Sequence, residues 1–216
     1  MRDAPAPGSR TPDGVLRCID SFGHVSSWLK VAGDAKAEVL AGTIGRRHPR
    51  PIECTLELGA FVGYSSIRFA RQVSALRPGP RPCGVSLEID PVHVAVSRHH
   101  LDLAGLSGVA EVWPGQLQDT MPRAGEGCGG RCLAFVFMDQ RGTTFHEDLA
   151  ELERLHALAP ASHIAADNTV KPGSPVYLWH VAVGASRSFI SDLWAMQEFA
   201  SSTIEDWQSV SFLLCG

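Results

Sequence analysis

Apolar positions along the chain fall into two rhythms. Val15, Leu16, Ile19 and Phe22 recur at helical spacing, and Ala37, Val39, Leu40 and Ile44 do so again. The spacing predicts helix from Asp13 to about Ile44, with its second helix over about Gly33 to Gly45. Beyond it the rhythm changes to short apolar runs: Cys54 to Leu58, Cys83 to Asp90, Ala110 to Trp113, Leu133 to Asp139 and His163 to Asn168. Continuous apolar runs of this length read as buried strands of a parallel sheet. Helical patterns separate them, over about Tyr64 to Gln72, Pro91 to Ala104, Phe145 to His156 and Tyr177 to Val183. Pro91 suits the first turn of a helix. Phe189 to Gly216 reads as strands, although Trp207 to Leu214 alternates only in part. Strand and helix in alternation predict an α/β fold, a mostly parallel central sheet flanked by helices.

Composition changes this picture little. The 216 residues are 44% hydrophobic and 19% charged, ordinary for a globular chain and enough for one core. A net charge of -4 without a long Lys/Arg run argues against nucleic acid as a partner. No apolar run is long enough for a membrane span. Met1 to Pro12 is rich in Pro, Gly and Arg, lacks a signal-peptide core and reads as a flexible tail before a single domain over 13–216. The six cysteines, at 18, 54, 83, 128, 132 and 215, form no C-x-x-C pair and read as buried free thiols of a reducing, cytoplasmic compartment. Cys128 and Cys132 flank Gly-Gly-Arg, a weak metal or redox signal because two further ligands are not visible nearby.

The candidate chemistry begins at Leu56-Glu57-Leu58-Gly59-Ala60-Phe61-Val62-Gly63-Tyr64-Ser65-Ser66. A strand passing through two glycines into a helix presents backbone N–H groups and lets a ligand approach the main chain. The glycine spacing fits neither the dinucleotide fingerprint nor a P-loop. A plain tight turn is the alternative. Glu88 ends the next strand, where α/β nucleotide folds place the carboxylate that accepts ribose hydroxyls; a helix-start acid is again the alternative. With Asp139, Asp167 and Asn168, five polar groups (Glu57 and Glu88 included) stand at predicted strand ends. Like charges gathered on one edge call for cations. Asp139, Asp167 and Asn168 form an all-oxygen set suited to Mg²⁺. His93, His99 and His100 read as solvated helix residues, and Trp28 as a core anchor or a pocket lip.

These residues in this order resemble the catechol O-methyltransferases. The resemblance rests on Val15-Leu16 through Ile19-Asp20, Trp28, Gly33-Asp34, Leu56 to Ser65, Glu88-Ile89-Asp90-Pro91, Gln118-Asp119, Met138-Asp139, and Ala166-Asp167-Asn168 with Pro172-Gly173, and covers about Asp13 to Pro175. It implies a Rossmann-like methyltransferase fold and Mg²⁺-dependent transfer of a methyl group from S-adenosylmethionine to a hydroxyl of a catechol-like small molecule. It further implies that Glu57, Gly59, Tyr64 and Ser65 hold the methionine part, with backbone from Lys30 and Ala32. Glu88 would accept the ribose hydroxyls, Ile89 would pack on adenine and Gln118 would reach its edge. Asp139, Asp167 and Asn168 would hold the metal, with Asp139 also beside the donor. Trp28, Asn168, Pro172 and Glu198 would meet the acceptor.

The chain departs from the family pattern after the metal aspartate. The family has His, Trp and a Lys proposed as general base; here the run is Gln140-Arg141-Gly142. Arg141 stays protonated and is a poor proton acceptor, though it can stabilise a catecholate. Lys171 and His146 lie near in sequence. The departure implies a different catechol-like acceptor, reliance on the metal to ionise it, or reduced activity. Two other readings remain: a catalytically weak S-adenosylmethionine binder acting through a protein partner, and a nicotinamide-dependent dehydrogenase.

Overall fold

The parallel strands form from short apolar runs that are bounded by turns and alternate with helical segments. The computed structural model describes residues 10–26, 29, 31–45, 54–76, 84–121, 131–183, 188–198 and 201–214. In chain order the elements are α1 (Pro12–Val25), α2 (Asp34–Gly45), β1 (Cys54–Leu58), α3 (Tyr64–Leu76), β2 (Gly84–Glu88), α4 (Pro91–Leu103), β3 (Ala110–Pro114), β4 (Leu133–Met138), α5 (Phe145–Arg154), β5 (Leu158–Ala166), α6 (Pro175–Ala182), β6 (Phe189–Glu198) and β7 (Ser201–Leu213). A short helical turn spans 117–121.

One seven-stranded sheet has the order β3-β2-β1-β4-β5-β7-β6. The pairs from β3 through β5 are parallel. β7 runs antiparallel to β5 and β6 antiparallel to β7. The chain leaves β1 outward through β2 and β3, then returns to lay β4 on the other side of β1. That reversal opens a crevice at the carboxyl ends of β1 and β4. β4 is buried at every position. α5, α6 and the 117–121 turn pack on the sheet in the cluster holding Leu117, Phe145, Leu149 and Tyr177. α1, α3 and α4 share a second cluster with Leu16, Ile67 and Leu101, and α2 joins a third around Leu40, Phe69 and Phe137.

Several expectations need correcting. Pro12 is the first residue of α1, not tail, because Thr11 caps that helix by accepting from the Gly14 N–H at 3.1 Å. Phe22 is 50% exposed and leaves the buried stripe. β5 begins at Leu158, five residues before the expected start, and a register shift between Leu133 and Phe135 accommodates its irregular first half. Cys132 is disulfide-bonded and Cys18 is exposed, so the reading of buried free thiols fails at both. The other questions about Cys83, Cys128 and Cys215 fall outside the described residues. His93 and His100 are not simply solvated. His93 packs edge-on against Phe61 at 4.7 Å between ring centres, and His100 Nδ1 lies 2.8 Å from the Val62 carbonyl. Among the described residues no helix is long and apolar enough to cross a membrane.

Candidate active site

The glycine turn sits at the switch point because nothing larger fits there. Gly59 has φ 97°, and a Cβ on it would meet the Asp139 carbonyl oxygen at 2.7 Å and the Gln140 nitrogen at 2.9 Å. Gly63 has φ 81°, and a Cβ on it would meet Ser97 Cβ of α4 at 2.8 Å. Both positions therefore need a residue without a side chain. The turn is tied to the neighbouring strand by the N–H groups of Gly59 and Ala60, which donate to the Leu87 carbonyl at 2.9 and 3.1 Å.

Glu57 lies beneath this turn at 1% exposure. Its carboxylate accepts from the hydroxyls of Ser65, Ser66 and Ser86, the last two at 2.5 Å. Burial pushes its pKa up, and the three hydroxyls oppose that shift. The Ser65 hydroxyl is thus committed to Glu57. Tyr64 is buried, accepts from Arg68 Nη2 at 2.7 Å, and is pushed up to about 12 by burial. Glu88 Oε2 accepts from the Phe61 N–H at 2.7 Å and Oε1 from the Asp90 N–H at 2.9 Å. Beside it Ile89 is 71% exposed, an open apolar face at a strand end. Ala32 is buried in the α2 cluster.

Asp139 and Asp167 follow the register-paired residues Met138 and Ala166, so adjacent strands bring them to the same edge. Their N–H groups continue the ladder, donating to the carbonyls of Leu58 and Met138 at 2.9 Å. Burial and then the charge of Asp167 raise Asp139 well above the usual carboxylate range. Asp167 is also raised by burial, against the pull of Lys36. Its Oδ1 is buried without a hydrogen-bond partner. Asn168 adopts a left-handed conformation at φ 54°, and its Nδ2 donates to Asp206 Oδ1 at 2.7 Å. Its amide carbonyl is therefore turned away from that contact.

Two residues of this cluster were missed by sequence reasoning. Lys36, 4% exposed, donates from Nζ to Asp167 Oδ2 at 2.7 Å and ion-pairs with Asp206 Oδ2. Burial opposes its charge, but the two carboxylates outweigh that and raise its pKa. The available signal was a lysine inside the apolar register of α2, next to Ala37 and four before Leu40. Asp206 carried less: it lies on a strand whose alternation is incomplete. The antiparallel course of β7 carries it past the end of β5, because Ala166 pairs with Ser209.

The remaining expected residues are placed as follows. Arg141 is exposed at the start of a 3-10 turn over Gly142–Thr144. Pro172 is exposed in the 169–173 turn beyond Asn168. Gln118 Nε2 donates to Asp148 Oδ1 at 2.9 Å. Glu198 ends β6 opposite Ser201. Trp28 and Lys30 lie outside the described residues. Among the described residues no three His, Cys, Asp or Glu side chains group as metal ligands; the expected set has two carboxylates and an amide. An apolar cavity of about 380 Å³ lies between α1 and α4, lined by Val15, Ile19, Phe22 and Val62 among others, and no strand-end acid reaches it.

No family model matches the chain. Catechol O-methyltransferase of Mus musculus is 33% identical over 175 residues, 81% of this chain and 63% of that protein. That of Sus scrofa is 31% identical over 149 residues, 69% of this chain and 76% of that protein. The chain belongs to the catechol O-methyltransferase family. It spans 63%, 61% and 64% of the length of the mouse, cattle and zebrafish members. An O-methyltransferase from Bacillus cereus, solved with SAH, superposes with a TM-score of 0.73 at 18% identity, covering 98% of this chain and 93% of its own. TomG from Streptomyces achromogenes, solved with SAM, gives 0.72 at 18% identity, with 93% and 90% covered. Both have the fold found here. The relatives named here are O-methyltransferases, so the likeness lends the dehydrogenase reading no support.

Proposed function

We propose that this chain transfers a methyl group from S-adenosylmethionine to one hydroxyl of a catechol-like small molecule, with Mg²⁺ as the acceptor's anchor. The observation that carries the reading is the oxygen cluster at the ends of β4 and β5: two buried carboxyls held above their ordinary range, one oxygen of Asp167 without a partner, and an amide whose nitrogen is already engaged. An all-oxygen donor set beside an unmet negative charge fits a hard divalent cation, which Asp139, Asp167 and Asn168 would hold. When bound, Mg²⁺ supplies the positive charge that lowers the pKa of an acceptor hydroxyl.

The chain's own residues would then orient the partners. Glu88, fixed by two backbone N–H groups, keeps lone pairs for the ribose hydroxyls, and Ile89 offers adenine an apolar face. The glycine turn admits the methionine part close to the main chain, above the Glu57 cage. Lys36 and Asp206 brace Asp167 and Asn168 from behind. In the displacement the C–S bond breaks, the O–CH₃ bond forms and the acceptor hydroxyl loses its proton. Alignment of oxygen, carbon and sulfur is the main contribution asked of the protein. No lysine stands at position 142 to take the proton, and Arg141 is suited to stabilising the oxyanion.

Transfer of a labelled methyl group to a simple catechol, with Mg²⁺ and again with chelator, tests the reading. Transfer that the chelator abolishes is expected. Donor binding without transfer to any catechol would favour a non-catalytic binder; transfer indifferent to chelator would remove the metal.

A further inference from the structure

The apolar cavity between α1 and α4 stands apart from the strand-end acids and has no part in the reading above. Its volume of about 380 Å³ is within the range of pockets that hold small molecules. One wall is α1, where Val15, Ile19 and Phe22 follow at i, i+4 and i+7. Val96 and Leu103 of α4 line it from the other helix. Phe22 continues a stripe whose other members are buried, yet is 50% exposed where it borders this space. Val62 of the glycine turn also lines the cavity. Its carbonyl lies 2.8 Å from His100 Nδ1 and can only accept, so a hydrogen bond ties the turn to α4 and the walls are already in place.

The chemistry of the lining is one-sided. Among the described residues its ionisable groups are Arg10, Cys18 and His100, and no carboxylate is present. Arg10 stands just before α1 and is exposed. Asp13, the acid three residues on, pairs instead with Arg71. An apolar wall gives water few partners, so an apolar body displaces it at little cost. A concave apolar space whose fixed charge is an arginine suits a small molecule with an apolar body and an anionic head.

We propose that the cavity between α1 and α4 binds a small free carboxylic acid, its carboxylate at Arg10 and its apolar body between Phe22 and Leu103, at a site separate from the strand-end crevice. The site does not depend on the identity of the donor or the acceptor.

The test is calorimetric titration of the whole chain with decanoate, kept below its micelle concentration, and with decan-1-ol, which shares the apolar body and lacks the charge. Decanoate is expected to bind more tightly by at least about threefold, the worth of an exposed ion pair. Arg10→Ala is expected to remove that preference and leave decan-1-ol unchanged. Phe22→Asp, at a half-exposed position, sets a like charge on the wall and is expected to weaken decanoate at least about tenfold. Cys18 is exposed, free and on the wall, so decanoate is expected to slow alkylation of the Cys18 peptide. S-adenosylhomocysteine is expected to leave decanoate in place.

No binding, equal affinity for the acid and the alcohol, or affinity indifferent to Phe22→Asp overturns the proposal. Displacement by S-adenosylhomocysteine would move the ligand to the strand ends and overturns it too. Lost self-association in Phe22→Asp with decanoate affinity unchanged would make this face an interface between copies instead. If Phe22→Asp does not fold, Cys18 decides in the unaltered chain, where alkylation at full rate under saturating decanoate overturns the site.

Discussion

Lys36 on α2 and Asp167 at the end of β5, 131 positions apart, meet at 2.7 Å in the interior, and the same ammonium pairs with Asp206. Among the described residues Lys36 is the cation paired at a buried edge that gathers Asp139, Asp167 and Asp206. Burial first, and then the neighbouring carboxylates, hold the Asp139 and Asp167 carboxyls high, against the pull of Lys36. Removing one partner of such a pair leaves uncompensated charge. Lys36→Met is expected to cost about 3–5 kcal/mol of stability in denaturant unfolding without divalent cation. Added Mg²⁺ should recover part of it. A loss below about 1 kcal/mol would place the pair among weak surface-like contacts.

The pH dependence follows from the same cluster. Asp139 and Asp167 have folded pKa values above their unfolded ones, chiefly through burial. The native state therefore binds more protons than the unfolded state above the ordinary carboxylate value. Stability from these groups is present below that value and declines as pH rises from about 4 toward the elevated folded pKa. A cation that binds the ionised carboxylates reverses the decline. Mg²⁺ is expected to raise the Tm at neutral pH and to do little at about pH 4. Equal shifts at both would separate Mg²⁺ from these acids.

Glu88→Ala removes the acceptor for the N–H groups of Phe61 and Asp90. Donor affinity is expected to fall at least about tenfold, since charge-assisted hydrogen bonds are lost, while circular dichroism stays unchanged. An unaltered titration curve would sink the ribose assignment.

Gly142 can take a side chain. A Cβ there would meet Gly173 oxygen at 3.6 Å and Ser174 Cβ at 3.7 Å, ordinary contact distances. Gly142→Lys restores the residue that the family places here. Turnover at neutral pH is expected to rise at least about tenfold, within the range of a positioned base. An unchanged rate would show that the proton leaves without help from this position.

The sequence by itself determined the strand–helix alternation, the glycine turn and the acids at strand ends, because each is written in a local pattern. An apolar run capped by Asp is legible in seven residues, as at Leu133 to Asp139. The tertiary structure decided the rest. It turned β7 antiparallel, so that Asp206 passes the end of β5 and reaches Asn168. It brought Lys36 from an apolar helix into the acid cluster, and Asp148 from another apolar stripe onto Gln118 and Gln140. Local pattern measures how well a residue suits a helix or strand. A buried charge is instead permitted by its partner, and the partner is chosen by the packing of distant segments.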